Sequence, residues 1–469
     1  MLPIERLRIV LVWLVILSVA AMAVTLQRMR QGGDEETAGA DHASQVEQEL
    51  APISLQNELL GKITVAMHSF APQLGGGKIL ETAKPLQDGE IADRLGYSVL
   101  VGVVEGWDAG AKAAREIKIP DDAPRAAGEL RDDIANAMEK HDALAASENA
   151  IELKDAIART EPTLGYFARA LGESGASEGA ALVGVLLVVV VWYVGVFLLG
   201  LVAIVVLMVM MSTGSIKPRF QLPHTPHASI VLGETFAMWI TVFLSLSVVT
   251  SIVGEKFLHS AGTAGHLALS IAAFFASLTV LAYPRLRGVP MSELRALIGL
   301  HTGQGVIKEI AQGFLCYVSA VPLLAIGLVV FAALSAVSEA LFGKSPSPSH
   351  PVVEMFHGAS SLDIVMLFML ASVTAPIVEE IVFRGLLYGH LRGVVAPRIR
   401  VVSAIVAAIG SSFVFAVIHP QGVLFVPALG GLAVGFCLYR EVRGSLIAPM
   451  VAHGVNNAVT LLIGLTLLS

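Results

Sequence analysis

Long apolar stretches separated by short polar segments dominate the chain. Nine of them approach or exceed the ~20 residues that a helix needs to cross the ~30 Å hydrocarbon layer of a bilayer. They lie at about 9–26, 181–211, 229–253, 265–283, 309–342, 361–391, 401–418, 423–439 and 445–468. The pattern predicts an all-α protein, a polytopic membrane helical bundle with about nine spans.

Composition agrees with a membrane protein. Of the 469 residues, 55% are hydrophobic and 15% are charged, and the mean hydropathy is +0.73, which excludes an ordinary water-soluble globule. Cys316 and Cys437 both fall in apolar spans, so the sequence offers no disulfide framework and no cysteine-based metal site. The first span follows Arg6 and Arg8, and we expect residues 1–30 to be a retained amino-terminal membrane anchor, with a cleaved signal peptide as the alternative.

Lysine and arginine collect in every second loop between the spans. Basic residues of short loops face the cytoplasm in most membrane proteins. This asymmetry predicts a cytoplasmic amino terminus and an extracytoplasmic segment between the first and second spans. The basic residues concerned are Lys217, Arg219, Arg285, Arg287, Arg295, Arg392, Arg398, Arg400, Arg440 and Arg443.

The segment between the first two spans has a different composition, rich in Ala, Glu, Asp and Lys. Leu130, Ile134 and Met138 recur every fourth residue among charged neighbours, which is typical of amphipathic helices that pack together. We therefore expect a soluble helical insert. The predicted organisation is the anchor, the insert at 31–178, middle transmembrane helices at 179–344 and a carboxy-terminal module at 361–469.

Three ionisable residues interrupt the sixth apolar stretch: Glu379, Glu380 and Arg384. A charged group near the centre of a bilayer costs at least ~2.5–3.5 kcal/mol, so such a group indicates a functional site. Glu380 and Arg384 are one helical turn apart, and we predict that they form a structural ion pair that neutralises both charges.

Further polar residues follow in the later spans. Phe415 and His419, and then His453 and Asn457, are each spaced by four residues and so share one face of a helix. The three blocks read EExxxR, FxxxH and HxxxN. In this order, on successive apolar helices, they resemble the CAAX-type prenyl endopeptidases and their bacterial relatives, the CPBP or Abi group of intramembrane proteases. The resemblance covers about residues 361–461.

The residues themselves suit hydrolysis by an activated water. Peptide hydrolysis without a nucleophilic Ser or Cys needs a base for the water and donors for the oxyanion. Glu379 is the candidate base, and the sequence alone does not decide between it and Glu380. His419 would position the water, and His453 and Asn457 would stabilise the oxyanion. The resemblance implies the same set, with the first Glu of EExxxR and the histidines catalytic.

Depth in the membrane tests whether these residues can meet. If one helix runs from about 361 to 393, it is ~50 Å long and Glu379 lies ~21 Å from its cytoplasmic end. His419 lies ~27 Å along the next helix from its cytoplasmic end, a depth at which it can meet Glu379. His453 lies only ~12 Å from the cytoplasmic end of its helix, so it reaches the same depth only if that helix tilts or starts lower in the membrane. The helix must therefore continue well past Arg384.

A metal is the alternative to a purely glutamate-activated water. Glu379, His419 and His453 could supply ligands to zinc and leave a position for water. The His-Glu-x-x-His helix of zincins is missing from the sequence, and Asn is a poor zinc ligand. We favour a reaction with no required cofactor, with Zn as the possible exception implied by the metalloprotease naming of the family.

The expected function is intramembrane cleavage of a membrane-associated protein or peptide by an enzyme embedded in the lipid bilayer, with no nucleic-acid partner. The resemblance implies the plasma (cytoplasmic) membrane of a bacterium. Two other functions stay open: a non-proteolytic scaffold or immunity-type protein of the same fold, and a transporter that uses the glutamates as a proton relay. Transport is disfavoured because few ionisable residues occupy spans two to five, among them Glu234, Lys308 and Glu309.

Overall fold

The computed structural model describes residues 3–40, 50, 53, 55–120, 123–145, 151–172, 174–223, 225–257, 262–342, 359–395 and 399–468. Within these ranges the chain is helical and has no β-strand, and nine helices are long and apolar enough to cross a membrane. The predicted fold class and number of spans are confirmed. The polar segment between 344 and 361, where we placed a module boundary, lies almost wholly outside the described ranges.

Two compact units are present: Met1–Gly33 with Tyr193–Ile463, and Asp34–Trp192 with Gly464–Ser469. We call the first the membrane unit and the second the insert unit. Helix α1 runs past the expected end of the anchor at residue 30 and continues to Ala40.

Twenty helices follow one another along the described part of the chain. They are α1 Pro3–Ala40, α2 Leu55–Phe70, α3 Gly76–Glu81, α4 Lys84–Gln87, α5 Ile91–Glu105, α6 Trp107–Glu116, α7 Arg125–Glu139, α8 His141–Ala145, α9 Ile151–Leu164, α10 Tyr166–Ala170, α11 Ser174–Ser212, α12 Pro226–Phe257, α13 Gly262–Ser277, α14 Tyr283–Leu286, α15 Met291–Ile298, α16 Val306–Phe342, α17 Ser361–Val394, α18 Arg400–Val417, α19 Val426–Arg443 and α20 Ile447–Leu468. Short 3₁₀ turns occur at Pro72–Leu74, Leu278–Ala282 and Val423–Phe425.

The insert unit forms a helical core of its own. The predicted amphipathic helix is present as α7, which buries Ile134 and Met138 completely and Leu130 in part. Phe167 fills the centre of the unit, where a Cβ atom on Gly61 would lie 2.5 Å from its ring. These contacts confirm that the segment between the first two spans is helical.

Helix α17 is continuous from Ser361 to Val394, as the depth argument requires. It is α-helical at Ser361–Phe368, Ala375–Glu379 and Tyr388–Val394 and π-helical between these stretches, at Met369–Thr374 and Glu380–Leu387. Short π-helical stretches inside α-helices occur frequently at functional sites. The prediction that the helix passes Arg384 without a break is confirmed.

Within the membrane unit, an ion pair joins α1 to α12. Arg8 lies 2.8 Å from Glu234 of α12, which also accepts a hydrogen bond of 3.0 Å from Tyr283. Because Glu234 lies near the start of α12, the amino-terminal end of α1 is at the same end of the bundle as Lys217 and Arg219. We call this the basic end; its composition is that of a cytoplasmic face.

Buried charged groups close the basic end of the unit. Glu441 accepts hydrogen bonds of 2.7 Å from both Tyr388 and Arg392, and Arg443 is 2.6 Å from Glu309. Each of these side chains is at most 10% exposed, and each charged group has a partner of opposite sign. Such pairing is what makes ionised groups tolerable inside a membrane protein.

Arg440 fixes where α20 begins. It is fully buried and donates to the carbonyl oxygens of Arg384 (3.3 Å), Leu297 (2.7 Å) and Gly444. Ser445 and Leu446, immediately before α20, are 0% and 1% exposed. The helix therefore starts against packed protein.

We predict that Arg440→Met lowers the free energy of unfolding by about 3 kcal/mol or more, because three buried carbonyls lose a charged donor. The free energy is measured by titrating the purified protein from mild detergent into sodium dodecyl sulfate while following helicity. Arg295→Met, at an exposed position of the same end, is the matched control and should change little. An equal effect of both substitutions would contradict the assigned role of Arg440.

Candidate active site

The π-helical stretch before Glu379 has a local cause in the sequence. Pro376 has no N–H and its ring crowds the carbonyl four residues earlier, so regular α-helical bonding is interrupted. The N–H of Ala375 bonds to Leu370 O, a π-type bond five residues back. The carbonyl of Ala371 therefore loses its α-type donor to Leu370, and its π-type donor would be the proline nitrogen, which has no hydrogen.

Asn457 supplies the missing donor. Its Nδ2 lies 2.8 Å from Ala371 O and thus ties α20 to α17, and its Oδ1 lies 3.2 Å from Asn456 Nδ2. An amide nitrogen carries two N–H groups, and the bond to Ala371 uses one of them. Ala371 is eight residues, about 12 Å along the helix, from Glu379. Asn457 is thus anchored to the α17 backbone, one turn along α20 from His453.

The structure brings Glu379, His419 and His453 together. Oε2 of Glu379 lies 3.8 Å from His419 Nε2 and 3.7 Å from His453 Nε2. The side chains are 14%, 18% and 5% exposed, so the cluster is largely enclosed by protein. These separations exceed a direct hydrogen bond, and they suit a small molecule such as water held between the groups.

The second nitrogen of each imidazole is held by a fixed acceptor. Nδ1 of His419 donates to Phe415 O at 2.6 Å, and Nδ1 of His453 lies 2.9 Å from Glu380 Oε1. A carbonyl oxygen can only accept, so Nδ1 of His419 carries the proton. Each ring therefore has its Nε2 directed towards Glu379.

Glu380 is the buried hub of the site. Its Oε1 accepts from Arg384 Nη1 at 2.8 Å and from His453 Nδ1 at 2.9 Å, and the side chains of Glu380 and Arg384 are 0% exposed. The sequence placed Glu380 and Arg384 in an ion pair. It did not indicate the bond to His453, which lies 73 residues away and on another helix.

Aromatic rings enclose the charged groups. Arg384 lies 4.5 Å from the ring centroid of Phe415 and 5.2 Å from that of Phe436, within the range of cation–π attraction. Phe415 also contacts His419 at 4.1 Å, and Phe436 stacks on His453 at 5.5 Å. Phe436 was missed by sequence analysis because it belongs to none of the three motifs.

Glu379, His419 and His453 are the side chains of the cluster that could bind a metal. Within the described ranges, no group of three or more His, Cys, Asp or Glu residues has the arrangement of a metal site. Two ligands at ~2.0–2.1 Å from a tetrahedral zinc are about 3.3 Å apart, closer than the separations of Glu379 from the two histidines. The arrangement of the three side chains thus does not match a preformed zinc site.

The depth of His453 has a structural explanation. By helix rise alone His453 is shallower than Glu379, and a lowered start of its helix or a tilt would bring the two together. Helix α20 starts at a segment enclosed by protein, and its His453 lies 3.7 Å from Glu379 and 2.9 Å from Glu380.

Comparison with known proteins agrees with the motifs. Residues 361–459 match the model of the family described as type II CAAX prenyl endopeptidase Rce1-like. A segment of 94 residues is 31% identical to the membrane-embedded CAAX protease MroQ of Staphylococcus aureus (strain USA300). The aligned segment covers 20% of this chain and 37% of that protein. No solved structure matches the chain. The resemblance derived from the motifs is confirmed for this carboxy-terminal segment, and the chain spans little more than a third of the curated relative.

We predict that Arg384→Met lowers the free energy of unfolding by about 3–5 kcal/mol, because it leaves the Glu380 carboxylate buried without its cation. Glu380→Gln in the same background should restore part of the loss, since the neutral amide needs no counter-charge. Free energies of the two single variants and the double variant, from denaturant titrations, form the test. Strictly additive losses would show that the two side chains do not act as a pair.

Proposed function

We propose that this protein is an intramembrane endopeptidase that hydrolyses peptide bonds with a water activated by Glu379. The observation that carries this proposal is the placement of one carboxylate within 3.8 Å of two imidazole Nε2 atoms, inside helices that can cross a membrane. The family match over residues 361–459 and the similarity of a 94-residue segment to a membrane-embedded CAAX protease support the same reaction class.

The first step uses Glu379 and His419 on the same water. The water donates one hydrogen to the Glu379 carboxylate and the other to Nε2 of His419, whose Nδ1 is already bonded to Phe415 O. As the water oxygen attacks the substrate carbonyl carbon, one proton passes to Glu379. The carbonyl π bond breaks, and its electron pair moves to the oxygen of a tetrahedral oxyanion.

His453 and Asn457 supply the donors for this oxyanion. His453 donates from Nε2 only when the ring carries both protons, and Glu380 accepts the Nδ1 proton in that form. Asn457 offers the N–H that its bond to Ala371 O does not use. When the intermediate collapses, the carbon–nitrogen bond breaks, and the proton held by Glu379 passes to the leaving amine.

The substrate class follows from where the cluster lies. A peptide bond must reach a site enclosed by transmembrane helices, so we propose that the substrate is a membrane-associated protein or peptide. The enzyme acts within the lipid bilayer, and we propose that this bilayer is the cytoplasmic membrane of a bacterium. Prenylation of the substrate is not required by any contact of the site.

We predict that Glu379→Gln and His419→Ala each lower kcat by about 10²–10⁴-fold, because each removes a group that takes or holds a proton of the water. Cleavage of reconstituted membrane-protein reporters is measured in proteoliposomes, with helicity and insertion checked for every variant. Glu339→Gln, an exposed glutamate of α16, is the control. Full biological activity of both folded variants would instead favour the non-proteolytic scaffold.

We further predict that a tight chelator leaves cleavage unchanged, since Glu379 and the histidines suffice to activate the water. The purified enzyme is assayed before and after chelation and after added Zn²⁺, together with its metal content. Loss of activity on chelation and recovery with Zn²⁺ would replace this mechanism with a zinc-dependent one.

A further inference from the structure

Two buried serine hydroxyls of α18 bond to the backbone of α17. Ser411 Oγ donates to Phe383 O at 3.0 Å, and Ser403 Oγ donates to Arg392 O at 2.9 Å. Both serines are 0% exposed. Since a carbonyl oxygen only accepts, each hydroxyl gives its proton to this bond.

These partners differ from those of other hydroxyls in the spans. Ser245, Ser270 and Ser319 each donate to the carbonyl four residues earlier in their own helix. That local bond is open to any helical serine. Ser411 and Ser403 bond instead to a neighbouring helix, so their hydroxyls act on the backbone of α17.

The Phe383 carbonyl belongs to the π-helical stretch Glu380–Leu387. It also accepts the N–H of Tyr388, five residues further on, which is a π-type bond. A carbonyl oxygen has two lone pairs and can accept from Tyr388 and from the serine at once. The α-type acceptor for Tyr388 would be Arg384 O, which lies 3.3 Å from Arg440 Nε instead.

Arg384 therefore lies between two peptide groups that neighbouring helices hold. The group before its Cα carries Phe383 O, which Ser411 of α18 binds, and the group after it carries Arg384 O, which Arg440 of α19 binds. A peptide group is planar, so a donor held at its oxygen restricts rotation of the whole plane. The two bonds together fix the direction in which the Arg384 side chain leaves α17.

That direction matters for the catalytic cluster. Nη1 of Arg384 lies 2.8 Å from Glu380 Oε1, which is also 2.9 Å from His453 Nδ1. Nε2 of the same imidazole is 3.7 Å from Glu379 Oε2. A continuous series of contacts thus connects the Ser411 hydroxyl, through the backbone at Arg384, to the proposed base.

We propose that Ser411 is a positioning residue for the proposed reaction: its bond to Phe383 O holds Arg384 against Glu380 and so keeps His453 directed towards Glu379. The inference rests on the proposed proteolytic function and adds to it a residue outside the three motifs. Ser411 is no nucleophile, because its hydroxyl is fully buried and bonded to the backbone.

The test compares Ser411→Ala with two matched controls. Ser403→Ala removes the same kind of bond between the same two helices, at a carbonyl eight residues, or about 12 Å, beyond Arg384. Ser412→Ala removes a neighbouring hydroxyl that is 2% exposed and lies 3.8 Å from Cys437 Sγ. The values of kcat and KM are measured with reconstituted reporters, and unfolding is followed by titration with sodium dodecyl sulfate.

We expect Ser411→Ala to lower kcat by about three- to tenfold at unchanged KM, because the reporter still binds while His453 is aligned for less of the time. Ser403→Ala should lose similar stability and keep the parental kcat, and Ser412→Ala should also keep it. An equal loss of kcat with Ser403→Ala would leave only a general packing role for Ser411. A parental kcat with Ser411→Ala would overturn the inference directly.

A second measurement does not depend on cleavage. Ser411→Ala and Arg384→Met are combined, and their combined loss of unfolding free energy should be smaller than the sum of the single losses, because the two side chains act on one arrangement. Ser403→Ala with Arg384→Met should be additive. Additive losses for Ser411→Ala would contradict the inference. A parent protein that cleaves no reporter would refute the proposed function, and this cycle would still decide whether Ser411 holds Arg384.

Discussion

The buried carboxylate of Glu380 is the interaction on which the rest of the site depends. One of its oxygens binds Arg384 within α17 and His453 of α20 at once, at 2.8 and 2.9 Å. An ionised carboxylate with no exposed surface is tolerated only if it is paired and hydrogen-bonded, so both partners are needed at their observed positions. The same contacts fix the ring of His453 so that its Nε2 faces Glu379. The Glu380–Arg384 ion pair and the orientation of the His453 ring are thus one arrangement.

A second link between α17 and α20 originates in the backbone. Pro376 interrupts the α-helical hydrogen bonds of α17, and the N–H of Ala375 bonds to Leu370 O instead of Ala371 O. The carbonyl oxygen of Ala371 accepts a hydrogen bond from Asn457 in its place. Glu380 and Ala371 therefore hold His453 and Asn457 at two levels of the same helix pair. The HxxxN spacing places both side chains on one face of α20, so that His453 and Asn457 can both bond to α17.

The sequence was sufficient for the helices and for the candidate residues of the reaction. Lengths of apolar stretches predicted all nine spans, and the continuity of α17 past Arg384 followed from helix rise alone. The bond between His453 and Glu380 could not be predicted, because helix periodicity describes one helix at a time and contains no information on which faces meet. Phe436 and Arg440 were missed for the same reason. Helix α1 continues to Ala40, beyond the apolar stretch from which the anchor was predicted.

Because the start of α20 is buried in protein, the position of His453 in the Glu379 cluster does not depend directly on the thickness of the surrounding bilayer. A helix that begins at the headgroups tilts or shifts when the hydrocarbon layer becomes thicker or thinner. Helix α20 begins instead against Arg440 and the segment around Leu297, with Ser445 and Leu446 enclosed by protein. The position of His453 relative to Glu379 and Glu380 is consequently set by contacts within the protein, and a change in bilayer thickness that leaves these contacts intact leaves their spacing unchanged.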